Sequence, residues 1–416
     1  MGDLILLAAI PLFLGLIALE WWIDRRRGSG HYRFSDAFGS LTLGIMSRSS
    51  NLLVLSLGAI FIDRVLPDAR WFDWSADSVW TWIATFVLYD FCYYWSHRMG
   101  HTLNLFWAGH AIHHQSEDYN LTTALRQTSS SIWTWIFSAP LLMLGAPVEV
   151  FVTCGALNLI YQFWVHTQHI DKLGWMETVM VTPSNHRVHH GQNPEYIDKN
   201  HGGVFILWDR LFGTFQPELD DVKIIYGARI PLQSLNPLWA NMQVWAGLMR
   251  DAWHTQSWWD KCRIWFMPTG WRPSDLERRM PVQKSDLSCF EKYDPKVSLR
   301  IRNYGIFQLA AAVPLLVYFM LHFSGLDYSL LALGFLMITL PLVTTAWMLE
   351  GRGYGWEKVR LVAAWVGFAA SWSLMAPSSV WVFGSYLVIN SLVLLWLIWA
   401  ENSESQDFER SVDSRA

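Results

Sequence analysis

Nine stretches of the chain are apolar for long enough, or nearly so, to cross about 30 Å of hydrocarbon, which takes about 20 helical residues. They are Leu4–Trp22, Leu41–Ile62, Val79–Trp95, Ser131–Leu144, Val148–His166, Tyr304–Phe323, Tyr328–Leu349, Leu361–Met375 and Val380–Ala400. The second is weakened by the polar run Ser47-Arg48-Ser49-Ser50-Asn51, and Gly145 and Pro147 separate the fourth from the fifth. Between the fifth and sixth, Thr167 to Asn303 is too polar to span. Within it, Leu238, Trp239, Met242, Trp245, Met249 and Trp253 recur three or four residues apart, followed by Trp258, Trp259, Trp265 and Trp271. That spacing predicts an amphipathic segment lying at the membrane interface, where Trp favours the headgroup level, or else the buried face of a cap.

The first run has no basic residues before it and Arg25, Arg26 and Arg27 after it. It therefore reads as a retained span with its N-terminus outside, not as a cleavable leader. Alternation then puts Arg33, Arg98, Arg126, Arg352, Lys358 and Arg360 in inside loops, and only Arg64 and Arg70 outside. The long polar segment and the tail from Glu401 fall in the cytosol. The expected organisation is N-terminal spans over 1–78, a catalytic region over 79–237 and a Trp-rich interfacial or cytosolic segment over 238–303. A four-span membrane module over 304–400 and a polar tail over 401–416 complete it.

Composition agrees. Hydrophobic residues make up 52% of the chain and charged residues 16%, against about one quarter charged in soluble domains. The net charge of -4 offers no basic footprint for nucleic acid. Four cysteines without a CxxC pair argue against a disulfide framework, a zinc ribbon or an iron–sulfur site.

The chemistry is in the histidines. Of 14, eleven lie between His97 and His201. His97 and His101 form HxxxH; His110, His113 and His114 form HxxHH; His186, His189 and His190 form a second HxxHH. Positions i, i+3 and i+4 share one helical face, so each box aims its imidazoles at one point. Neutral imidazole suits iron, zinc, copper and nickel. Eight rings are too many for one ion and fit two, with about four nitrogens each. Glu-x-x-His pairs of the ferritin type are missing, which favours an all-histidine dinuclear centre. His97 and His101 end the third span and His166 ends the fifth, so the boxes can meet at the cytosolic mouth of a helical bundle. The fold class expected is thus all-α: a polytopic integral membrane protein, a helical bundle with a cytosolic histidine-rich di-metal cap.

Asp90 lies within the third span, seven residues before His97, and a carboxylate at that depth needs a partner. It is expected to accept the ring N–H of a ligating histidine. Asn158, Gln162 and His166 form a polar stripe expected to face the bundle interior, with His166 either a ninth ligand or a hydrogen-bonding group. His169 and His201 are weaker candidates, and His31, His254 and His322 stand alone.

The run Tyr89-Asp90-Phe91-Cys92-Tyr93-Tyr94-Trp95-Ser96-His97-Arg98-Met99-Gly100-His101, with the two HxxHH boxes, resembles the fatty acid hydroxylase/sterol desaturase superfamily of membrane di-iron enzymes. The resemblance covers roughly Val79 to Pro237. Thr182-Pro183-Ser184-Asn185 before the last box, Ile197-Asp198-Lys199-Asn200, and Trp208-Asp209-Arg210-Leu211-Phe212-Gly213-Thr214-Phe215 look like its alkylglycerol monooxygenase branch. One departure is His201, where the branch would have an aromatic residue. The resemblance implies metal ligands at His97, His101, His110, His113, His114, His186, His189 and His190. It also implies two Fe ions and O2-dependent hydroxylation of a lipid C–H bond, at the ether-adjacent carbon of an alkylglycerol in this branch. Sterol or fatty-acyl hydroxylation or desaturation is the alternative. Electrons would come from an external donor, a tetrahydropterin in this branch and cytochrome b5 or ferredoxin in others.

A metal transporter would need polar groups at mid-depth in several spans, and the last four spans read as almost uniformly apolar. A non-catalytic lipid-sensing scaffold would tolerate broken boxes, and all three are intact. The last four spans are read as an accessory module for homodimerisation or lipid access.

Overall fold

A computed structural model of the chain describes residues 2–51, 53, 57–129, 135–322 and 325–413. Among these residues there is no β-strand, only three isolated bridges, and the rest of the regular structure is helical. The chain divides into two compact units. One comprises the chain up to Asp294 apart from 48–53 and 235–237; the other comprises those two pieces with Pro295–Ala416.

The first unit opens with α1 (Gly2–Arg27), α2 (Phe34–Asn51), α3 (Leu57–Arg64) and α4 (Leu66–Ala69). It continues with α5 (Val79–Thr102), α6 (Asn104–His114), α7 (Leu121–Ala124), α8 (Trp135–Leu144) and α9 (Val148–Trp164). The short α10 (Pro183–His189) and α11 (Leu207–Leu211) follow, then α12 (Pro237–His254), α13 (Trp258–Arg263) and α14 (Ser274–Arg279). At its centre α5 packs against α6, α8 and α9, and α1 packs against α9. Leu103, in extended conformation, ends α5 and begins α6. That single residue lets α6 fold back along the end of α5.

The second unit holds α15 (Leu299–His322), α16 (Tyr328–Leu349), α17 (Gly355–Ala370) and α18 (Pro377–Asp413). Contacts run α15 to α16 to α17 to α18 and back to α15, closing a ring of four helices. Gly334 on α16 lies so close to the Phe319 ring that a Cβ would stand 1.8 Å from it. Glycine is what permits that approach.

Among the described residues, four helices are long and apolar enough to cross a membrane: Leu7–Arg27, Leu299–His322, Tyr328–Leu349 and Pro377–Ala400. Two shorter apolar helices, Trp135–Leu144 and Val148–Trp164, accompany them. The protein is an integral membrane protein. The nine expected spans are not all of one kind. Leu41–Ile62 is divided between α2 and α3, and residues 52 and 54–56 fall outside the described residues. The reason lies in α2, whose Ser35, Asp36, Ser40 and Ser47 are buried with polar partners. Residues 131–134 of the fourth run and Phe323 of the sixth also lie outside the described residues. Leu361–Met375 belongs to the 16-residue α17, which ends at Ala370.

The last four spans are also less uniformly apolar than the sequence suggests. Glu357, in the first turn of α17, is fully buried. It pairs with Arg360, accepts from Tyr304 Oη at 2.5 Å and accepts from Thr344 Oγ1. Gln308 Nε2 donates to the Tyr304 oxygen at 2.7 Å and to Asn390 Oδ1 at 2.9 Å. All four helices contribute to this polar core.

The tryptophans of the Trp-rich segment are partly packed and partly exposed. Trp245, Trp265 and Trp271 pack around Ala108, Leu248 and Ile264, beneath α6. Trp253 and Trp258 are about four-fifths exposed, and Trp259 is also exposed.

Candidate metal centre

Three elements and one loop bring nine imidazoles together. His97 and His101 stand one turn apart near the end of α5, and His110, His113 and His114 occupy the last turns of α6. His186 and His189 lie on α10, with His190 as its C-cap. This short helix is set by Pro183 at its first turn and by a reciprocal cap, Thr182 Oγ1 with the Asn185 N–H and the Asn185 side chain with the Thr182 N–H. His166 follows α9.

The rings fall into two groups, in each of which one ligand atom per residue lies within 4.8 Å of the others. The first is His97, His101, His110, His114 and His189; the second is His113, His166, His186 and His190. The eight box histidines divide five and three, rather than the expected four and four, and His166 brings the second group to four. The groups abut where the rings of His113 and His114 each stand 4.5 Å from His190.

Ring orientation is fixed from behind. Nδ1 of His97 lies 2.8 Å from the His201 carbonyl, of His113 3.0 Å from that of Arg126, of His166 2.7 Å from that of Gln162, and of His189 2.9 Å from that of Lys199. A carbonyl only accepts, so each Nδ1 carries the proton and each Nε2 presents a lone pair. Yet the Nε2 atoms face one another. They are 3.0 Å apart for His97 and His110, 3.1 Å for His101 and His114, and 3.1 Å for His110 and His114. In the second group His166 Nε2 is 3.3 Å from His113 and 3.1 Å from His186. Nε2 of His189 and of His190 is buried without a partner. His113 and His166 both have Nδ1 on a carbonyl, so their facing Nε2 lone pairs repel unless a cation lies between them. Nitrogens about 3.0 Å apart are what adjacent ligands give on an ion with metal–nitrogen bonds of about 2.1 Å. The donor set fits a transition-metal site.

Burial works in the same direction. It pushes His110, His114, His186, His189 and His190 well below the usual imidazole range, with neighbouring rings adding to it. His113 falls to about 4, again through burial, partly offset by its bond to the Arg126 carbonyl. These rings are neutral at pH 7, the form that binds metal.

Asp90 has a different role from the one expected. It receives no histidine ring N–H. Its oxygens accept from Asn158 Nδ2 at 2.7 Å, Val204 N at 2.8 Å, Phe205 N at 3.0 Å and Trp208 Nε1 at 2.9 Å. A buried carboxylate thus ties α5 to the loop after α10, and distance in sequence hid those partners. Gly203 of that loop lies so close that a Cβ would stand 2.8 Å from Asp90 Oδ1. The stripe on α9 does face inward: Gln162 Nε2 donates to Asn158 Oδ1 at 2.5 Å, and Tyr93 Oη donates to Gln162 Oε1 at 2.7 Å.

Asp209 was not anticipated as a site residue. Buried, it accepts from His201 N at 2.7 Å, Gly202 N at 2.8 Å and Thr214 Oγ1 at 2.7 Å. It thereby fixes the His201 carbonyl that orients His97. Its signal was the Trp208-Asp209-Arg210 run. Asp198 and Asn200 are left-handed, with φ of 57° and 56°, a conformation costly for residues other than glycine. They flank Lys199, whose carbonyl faces His189. His201 is buried beside the first group, its ring 5.0 Å from that of His101, but it belongs to neither group. His169 lies outside as well.

Comparison with known proteins gives this geometry its context. The sequence pattern of the fatty acid hydroxylase family matches residues 82–214, which hold all nine histidines. The chain is 36% identical to human alkylglycerol monooxygenase over 349 residues, 83% of this chain and 77% of the relative. It is 37% identical to alkylglycerol monooxygenase of Xenopus tropicalis over 339 residues, 80% of this chain and 75% of the relative. An ornithine lipid hydroxylase of Rhizobium tropici is 28% identical over 144 residues, 33% of this chain and 44% of the relative. No solved structure matches. The chain therefore belongs to the fatty acid hydroxylase family, alongside the alkylglycerol monooxygenases, and is a membrane-bound lipid hydroxylase.

Proposed function

We propose that the nine histidines hold two iron ions, one among His97, His101, His110, His114 and His189 and the other among His113, His166, His186 and His190. The observation that carries this reading is the convergence of nine buried imidazoles in two groups, four of them with Nδ1 held by a carbonyl and Nε2 turned into the cluster. The proposed reaction hydroxylates the ether-adjacent carbon of an alkylglycerol: one C–H bond becomes C–OH, and O2, two electrons and two protons yield water besides. Bound iron would supply the activation of O2 and the oxidation of the C–H bond.

The chain's own residues do the rest. The carbonyls of His201, Arg126, Gln162 and Lys199 hold the rings of His97, His113, His166 and His189 in one tautomer. Asp90 and Asp209 hold the loop that carries the first of these carbonyls. Trp107, 5.4 Å from the His101 ring, and Tyr119, 5.6 Å from the His166 ring, pack against the cluster and exclude water from it. No nucleotide-binding motif is present in the sequence, so an external donor is proposed: a tetrahydropterin first, a cytochrome b5 or ferredoxin-type protein second.

The centre is proposed to face the cytosol. Glu20 on α1 accepts from Leu121 N at 2.8 Å and from Thr167 Oγ1 at 2.5 Å. The end of α1 with Arg25, Arg26 and Arg27 is therefore the end nearest His166, and basic residues favour the cytosolic side. Another polar membrane lipid is the second reading, favoured by the likeness to a bacterial ornithine lipid hydroxylase.

The test is metal analysis of detergent-purified protein with O2 uptake under tetrahydropterin and an alkylglycerol. About two irons per chain and substrate-dependent uptake are expected. Uptake only with another lipid would favour the second reading. No bound transition metal after iron reconstitution would overturn both.

A further inference from the structure

A third cluster of metal-binding side chains lies outside the nine-histidine centre. Asp24 is near the end of α1, His31 is in the segment leading to α2, and His169 is three residues beyond His166. One ligand atom from each lies within 4.8 Å of the other two. His169 Nε2 is buried and without a hydrogen-bond partner. The atom nearest in charge is Asp24 Oδ1, 3.8 Å away, beyond hydrogen-bond reach. The His31 ring closes the third side, 5.2 Å from the His169 ring and inclined to it by 62°.

The backbone builds this corner. Gly28 and Gly30, both left-handed at φ 64° and 73°, turn the chain after α1. Ser29 N donates to the Asp24 carbonyl at 3.2 Å, and His31 N donates to Asp24 Oδ1 at 2.9 Å. On the other side His169 N donates to Thr167 Oγ1 at 3.1 Å, and that hydroxyl in turn donates to Glu20. Asp24 is buried, with its side chain 4% exposed, and His169 is 10% exposed.

Burial pushes both imidazoles below their ordinary range, so both are neutral at pH 7. The charged groups around them balance: Glu20 and Arg27 act on His169, and Asp118 and Lys292 act on His31. No net positive charge opposes a cation. Two neutral imidazoles and a carboxylate are a donor set for a divalent transition metal, with positions left for water.

We propose that Asp24, His31 and His169 form a third metal site, separate from the nine-histidine centre, that takes a zinc-like divalent ion. Ligand atoms on such an ion stand about 3.0–3.5 Å apart, so binding draws the three side chains slightly together. Its role is to pin the end of α1 and the approach to α2 onto the segment that carries His166. The site brings together parts of the chain far apart in sequence, as a structural ion does.

The test uses the full-length protein in detergent, loaded with Zn2+ and dialysed, with metal counted by mass spectrometry. Wild type is expected to hold one equivalent more than the His31→Gln and Asp24→Asn variants. Zn2+ is also expected to raise its Tm by more than it raises theirs. Both variants leave the nine histidines untouched, so whatever metal that centre holds cancels in the difference. Asp24 accepts a backbone hydrogen bond, and its variant can fail to fold; the partly exposed His31 then decides alone. Equal zinc content and an equal zinc-dependent Tm shift in wild type and His31→Gln would overturn the site.

Discussion

Each imidazole of the centre has two nitrogens with separate duties. Where Nδ1 is held by a carbonyl, Nε2 turns its lone pair into the cluster, and removing one ring removes one donor without disturbing the spans. His113→Ala and His189→Ala, one from each group, are therefore expected to abolish turnover while membrane insertion and expression stay near wild type. Activity assay and membrane flotation check this, and retained turnover in either variant would sink the ligand assignment. Asp90 and Asp209 act at one remove, through the loop they anchor. Leaving buried donors unpaired costs about 1–3 kcal/mol each, so Asp90→Ala should loosen that loop and lower metal occupancy. Metal content unchanged from wild type would reduce Asp90 to a packing role. The boxes were legible because their spacing is local and helical. The partners of Asp90 were not: Val204, Phe205 and Trp208 lie more than a hundred residues on, and only the folded chain joins them. His166 fell between, since a polar stripe on α9 tells which way it faces but not which rings it meets.

The same contrast holds for whole elements. The four long apolar helices were legible as spans because a bilayer reads length and hydropathy. Leu41–Ile62 met the length but not the environment: α2 buries serines and Asp36 against the chain itself. Asp36 Oδ2, for example, accepts from Glu117 N at 2.8 Å. In α17 the sequence reading began the helix at Leu361, leaving Glu357 and Arg360 in a loop. The helix starts at Gly355, and the first turn carries the pair into the four-helix ring. Removing one member of a buried ion pair typically costs about 3–5 kcal/mol, because its partner stays buried and uncompensated. Glu357→Ala should therefore lower the melting temperature in detergent markedly, while Glu357→Gln, which keeps an acceptor for Tyr304, should cost less. Equal Tm for wild type and Glu357→Ala would show that the network adds nothing to the stability of α15 through α18.

On the scale of the molecule, a dense set of neutral histidines couples stability to pH. The six rings of the α6 and α10 boxes other than those on α5 have depressed values when folded, against an ordinary value of 6.5. Below pH 6.5 the unfolded chain takes up protons that the folded apoprotein cannot, so folding free energy is lost as pH falls toward the folded values, about 4 for His113. Three buried carboxylates oppose this. Burial raises Glu117, Asp118 and Asp209 above their ordinary values, so the folded state binds protons there more readily and regains some stability in acid. The histidine loss starts near pH 6.5, and its six rings outnumber these three carboxylates. The metal-free protein should therefore show a Tm that falls steadily from pH 7 to pH 5. A bound ion competes with protons for the same nitrogens, so the metal-loaded protein should hold its Tm over that interval and lose metal and stability together at lower pH. Melting curves of both forms across the range check this. A flat profile for the metal-free protein would mean that these rings are not held neutral by the fold, and would remove the electrostatic basis for a preformed histidine centre.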